Sequence, residues 1–195
     1  MREWPIPGMF APIWMKRFEA FAADKRGIAA VEFALIAVPF FFLIFGLLEV
    51  CVIFIMASVL EHGASEASRA IRTGQFQQGG FGELAFKNAV CAELFDLMSC
   101  GERLSLDVKT FSSFAGTNNP SPIDPVTGDL DDSGFAFSPG GQNDIVVIRV
   151  FYEWDLMIPL MSKPLANMSG DRRLLQATVA FRNEPFGNSA AGATP

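Results

Sequence analysis

Residues 25–50, KRGIAAVEFALIAVPFFFLIFGLLEV, decide how the rest of the chain is read. From Phe33 to Leu48, sixteen residues carry no charge, and after Glu49 another eleven follow, from Val50 to Leu60. An α-helix needs about 20 apolar residues to cross a ~30 Å hydrocarbon core, so a membrane span over about residues 33–56 is expected, even with Glu49 inside it. Ahead of the run stand Lys25, Arg26 and Gly27, and Glu32 sits at its edge. A plain membrane anchor has no use for that carboxylate, because charge drawn into hydrocarbon is costly.

A secretory signal is a poor match. Its apolar core is 7–15 residues long and is followed by a small-residue cleavage site. Here the core is longer, and SEASRAIRTG follows without such a site. A cut between Gly27 and Ile28 accounts for the acid. It removes the basic leader and leaves a new α-amino group on Ile28. Glu32 becomes the fifth residue of the mature chain, one helical turn from that amine (i, i+4) and near the positive end of the helix dipole. Between chains, Glu32 could pair with the terminus of a neighbouring subunit, and the partner would offset the burial. An uncleaved single-pass anchor carrying a periplasmic scaffold or binding head is the alternative.

RGIAAVEFALIAVPFF resembles the processing region of TadE-like proteins, pseudopilins of the tight-adherence (Flp-type) pilus system. Further stretches are similar to the family pattern: EASRAIRTGQ (66–75), FKNAVCAELFDLMSC (86–100), DIVVIRVFYEW (144–154) and AFRNEPF (180–186). The resemblance implies that a prepilin peptidase cuts after Gly27 and that Glu32-Phe33 are the Glu-Phe pair of the fifth and sixth mature positions. It also implies a secretion-system accessory or minor pilus component without catalysis of its own. Expected partners are the peptidase, other pilin or pseudopilin subunits, including a related pseudopilin in a hetero-oligomer, and the bacterial inner membrane. The leader, residues 1–24, is longer than a short Flp-type prepilin would carry.

Charge gives the orientation. Residues 1–27 hold five basic and three acidic side chains, whereas the rest of the chain is strongly acidic. Basic residues on a short flank favour a cytoplasmic N-terminus, which puts the C-terminal head in the periplasm. An acidic exported head gives no reason to expect nucleic-acid binding. In an oxidising compartment, Cys91 and Cys100 read as a disulfide. Cys51, inside the apolar helix, reads as a small core-like residue.

The fold class expected is α+β and pilin-like: a long N-terminal helix, a second helix and an antiparallel sheet of at least three strands. The long helix should run to Thr73 with Gly74 as its cap, about 69 Å at 1.5 Å per residue, kinked at Pro39. Ala57, Leu60, Ala64, Ala67, Ser68 and Ile71 form its small-to-apolar stripe. Residues 76–82 read as a turn, 83–98 as a helix, and 104–111, 144–154 and 172–184 as strands. Residues 112–143 read as a long loop, 155–170 as a hairpin-like crossover or short membrane-proximal helix, and the tail 187–195 as disordered. The organisation is therefore a cleaved leader (1–27), a long helix (28–73), a head (74–186) and a tail.

No cofactor or metal is expected. The aspartates at 124, 129, 131 and 132 lack the glycine and distal glutamate of an EF-hand and read as a solvated turn. His62 stands next to Glu61 without a nucleophile–base–orienter set around it, and Ser65 and Ser68 are generic. The Met- and Phe-rich stretch 151–168 reads as head core.

Overall fold

A computed structural model describes residues 27–117 and 120–186, with the side chains of 159–161 left aside. The chain divides into two compact units, Met1–Phe45 and Gly46–Pro195. In the described part of the first, residues 27–45, every side chain but Ala37 and Phe42 is exposed. This part is the start of helix α1 (Ile28–Arg72), which contains Pro39.

In the second unit α1 has an inner face. Leu60, Gly63, Ala64, Ala67, Ser68 and Ile71 are buried, while Glu61, His62, Arg69 and Arg72 point outward. The small-residue stripe is thus the packing face, with small side chains that let other elements come close. A Cβ on Gly63 would sit 3.1 Å from Leu94 and 3.2 Å from the Val90 carbonyl. The helix stops where expected: Gly74 takes φ +80°, a left-handed conformation that favours glycine. Arg69 and Arg72 in the last turn complement its dipole.

A short helix α2 (Gln75–Gly79) follows, where the glycines had suggested only a turn. Its Phe76 is buried, and that burial holds the helical turn in place. Helix α3 (Glu83–Ala92) ends six residues earlier than its apolar pattern predicts. Phe95 and Asp96 take positive φ (53° and 55°), which breaks the helix. Cys91 and Cys100 come to disulfide distance around this break, their Cα atoms 5.9 Å apart, and the Ser99 N–H donates to the Tyr152 hydroxyl (3.1 Å). Phe86, Val90, Leu94 and Met98 face the core, whereas Leu84 and Leu97 are exposed.

The sheet is antiparallel, in the order β1 (Leu104–Phe111), β2 (Ile145–Asp155), β3 (Arg172–Arg182). The architecture is α+β, and the strands lie within two residues of their expected bounds. The central strand β2 is buried from Ile145 to Tyr152. One face of the sheet presents Leu104, Leu106, Val108, Val146, Ile148, Val150, Leu175 and Ala177 to a core shared with Leu60, Ile71, Phe86 and Val90.

The other face is covered by the segment between β1 and β2. The long loop is not loose: the Val108 N–H donates to the Ala136 carbonyl (2.7 Å) and the Val108 carbonyl accepts from the Ser138 N–H (2.8 Å), and Phe135 stacks on Phe151. Under this cover lies a buried ion pair. Arg149 donates to Asp107 through Nη2 (2.5 Å) and Nε (3.1 Å), and through Nη1 to the Pro120 carbonyl (3.1 Å). Asp107 also accepts from the Ala136 N–H (3.0 Å) and faces Lys109. The crossover from β2 to β3 carries a short helix α4 (Pro159–Leu165).

Removing one member of a buried pair strands the other's charge. Asp107→Ala should therefore destabilise the head by about 3–5 kcal/mol, read as a lowered thermal midpoint of the detergent-solubilised protein. Val126→Ala, on the exposed part of the same cover, should leave the midpoint unchanged.

Candidate functional site

The processing segment occupies the start of α1. Gly27 is exposed with open space where a Cβ would go, and Ile28 is the first helical residue. The first turn holds no acidic residue. Glu32, at i+4 from Ile28, opens the second turn and is exposed, and Phe33 beside it is 70% exposed. Nothing about the chain's own packing requires a carboxylate at Glu32. Lys25, Arg26 and the rest of the leader lie outside the described residues, as does the tail from residue 187.

The second carboxylate of the helix is placed very differently. Glu49 is 2% exposed. Its Oε1 accepts the Met157 backbone N–H at 3.0 Å, a contact across 108 residues. Its Oε2 is buried without a hydrogen-bond partner among the described residues. Gly46, Glu49 and Ile53 make the buried line of this helical stretch, while Leu47, Leu48, Phe54 and Ile55 are exposed. The packed head thus begins on α1 at Gly46, and the crossover after β2 covers Glu49. The sequence left Glu49 unexplained, because its partner is a backbone group far along the chain. Cys51, expected to be core-like, is exposed instead.

The other candidate chemistry is absorbed by structure. His62 stacks on Phe95 (ring centroids 6.1 Å apart) with Nε2 4.0 Å from Glu93. Ser68 Oγ donates to the Ser65 carbonyl (2.6 Å). Asp129 pairs with Arg172 (2.6 Å), and Asp124 accepts the Val126 N–H (2.7 Å) to close its turn. Hydrogen bonds from Ser133 hold the Asp131 carboxyl below its ordinary range. That turn is favoured above the ordinary carboxylate pKa and loosens as pH falls through the lowered value. Among the described residues no group of three or more His, Cys, Asp or Glu is placed to hold a metal. Of the stretch 151–168, Phe151 and Met168 are buried and Met157 is exposed.

At the far end of α1, the segment after β3 acts as a clasp. Asn183 donates to the carbonyls of Pro139 and Gly141 (2.9 and 2.8 Å). Glu184 donates its N–H to the Arg72 carbonyl (2.9 Å) and pairs with the Arg72 guanidinium (3.3 Å). Phe186 lies on Gly74, where a Cβ would come within 2.1 Å of its ring.

Helix α1 starts directly after Gly27 and carries an exposed acid, Glu32, one turn in. Residues 27–69 match the family model described as TadE-like protein. The TadE-like match begins at Gly27 and takes in Glu32, Glu49 and most of the small-residue stripe. It supports a part in Tad pilus assembly. No curated protein and no solved structure matches the chain. Ile28–Arg72 is also long and apolar enough to cross a membrane, which is compatible with single-pass anchoring.

Glu49→Ala removes the acceptor for the part-buried Met157 N–H and should destabilise the head by about 1–3 kcal/mol. Glu49→Gln keeps an acceptor and should lie close to the parent. Comparison of thermal midpoints in one detergent separates the two.

Proposed function

We propose that the protein is a minor pseudopilin of a tight-adherence (Flp-type) pilus system, acting in assembly without catalysis of its own. The TadE-like match that starts at Gly27 carries this reading. A prepilin peptidase removes residues 1–27, with Lys25 and Arg26 holding the leader on the cytoplasmic side and Gly27-Ile28 as the scissile pair. The mature helix stays in the bacterial inner membrane with the acidic head in the periplasm. There an oxidising environment favours the Cys91–Cys100 bond.

Glu32 and Phe33 are the assembly residues in this reading. Glu32 is exposed on the helix, so its carboxylate is available to the new α-amino group of a neighbouring pilin or pseudopilin subunit. In a low-dielectric helical assembly, such a pair is favourable only because each charge compensates the other. A hetero-oligomer with a related pseudopilin would supply that amine.

Intact-mass measurement of membrane-extracted protein tests the cut. The mature species should begin at Ile28. Gly27→Ala should accumulate the full-length chain, and Glu32→Ala should still be cleaved but fail to enter the assembly, read by co-purification with the other pilus subunits. A parent protein that keeps Met1, together with a silent Glu32→Gln, would instead describe a permanently anchored scaffold.

A further inference from the structure

The span, expected from the sequence over about residues 33–56, is placed here from Ile28 to Leu48, so that it ends ahead of the buried Glu49. That is 21 residues of helix, and about 20 residues cross a bilayer core. Glu49 is the next residue, and the crossover from β2 to β3 is held against it by the Met157 N–H. The crossover therefore meets α1 at the end of a stretch that is already long enough to span. From Leu156 to Ser162 it is uncharged, with the sequence LMIPLMS. Met157 is 62% exposed, although its backbone is pinned. Charged groups flank the segment on both sides: Asp155, paired with Arg103 (2.5 Å), and Lys163, which is exposed.

An uncharged segment with an outward-pointing methionine, bordered by charges, is unusual on an exported acidic head. On α1, in the turn that holds Glu49, Leu47 and Leu48 are 65% and 53% exposed. Both apolar surfaces are explained by one occupant. We infer that the crossover, at Met157 and Lys163, is a lipid-contacting surface, seated in the outer interface of the same bilayer that α1 spans. This rests on the membrane-spanning reading of α1. Met157 would reach the acyl chains, and Lys163 would lay its stem along them with the ammonium at headgroup level. The head would then touch the membrane at two places, and Glu49 would be screened at the boundary by protein instead of facing lipid.

Single spin labels test this in the full chain with Cys51→Ser, reconstituted in phosphatidylethanolamine–phosphatidylglycerol vesicles. Labels go at Met157→Cys, at Leu43→Cys within the span, and at Val126→Cys, where the native side chain is 91% exposed. Collisions with oxygen report lipid, and collisions with a water-soluble nickel complex report water. The expected result is loss of nickel collisions with retained oxygen collisions at 43 and 157, and free nickel access at 126. Nickel access at 157 equal to that at 126, with 43 still in lipid, overturns the inference and leaves the span intact. Protection of 157 from both reagents means a protein covers it and also overturns it. Nickel access at 43 defeats the spanning reading and this inference with it.

Discussion

The structure depends on one helix meeting two environments along its length. The first part of α1 is exposed almost all round, a surface that suits lipid or other apolar helices. From Gly46 onward the same helix buries one line of residues, continued by the stripe from Leu60 to Ile71, and that face carries the head. Burying Leu60, Ile71, Phe86 and Ile148 contributes about 1.5–3 kcal/mol each. On the same face Gly63 allows α3 to approach closely, a Cβ there falling 3.2 Å from the Val90 carbonyl. Sheet, disulfide loop and clasp are all organised around this one face.

The two carboxylates in the apolar part of α1 show how position decides what a charge is for. One oxygen of Glu49 is held within its own chain by a backbone N–H while the other is buried without a hydrogen-bond partner among the described residues, and its burial marks where the head begins. Glu32 has no such shelter in the chain. Similar chemistry in one helix thus serves internal packing at one site, while at the other it stays free for what lies outside. The match to TadE-like protein covers both positions.

Much of this was legible in the sequence because it rests on local periodicity. The alternation in LSLDVKTF and RRLLQATVAFR marks strands, and the spacing from Leu60 to Ile71 marks a helix face. The misses are tertiary. Helix α3 stops early because Phe95 and Asp96 are forced into a left-handed turn beside the Cys91–Cys100 closure, which no apolar pattern announces. Helix α2 exists because Phe76 finds a pocket against Phe81 and Phe86. The proposed processing residues rest on the order of charge, glycine and acid in the sequence alone, whereas the place of Glu49 was not readable there, since its partner lies 108 residues away.

The buried Asp107–Arg149 pair has a further consequence for how the sheet chooses its alignment. From Ile145 to Tyr152, β2 is apolar or aromatic everywhere except Arg149, so hydrophobic alternation alone discriminates weakly between alignments. Asp107 and Arg149 stand directly opposite one another on neighbouring strands. Sliding β1 by one residue would turn Asp107 toward the helix-side core, and sliding it by two would set it against Val147 or Phe151. Either error leaves two charges without water or each other. The pair acts as a key cut for one alignment, letting a uniformly greasy central strand tell right from wrong.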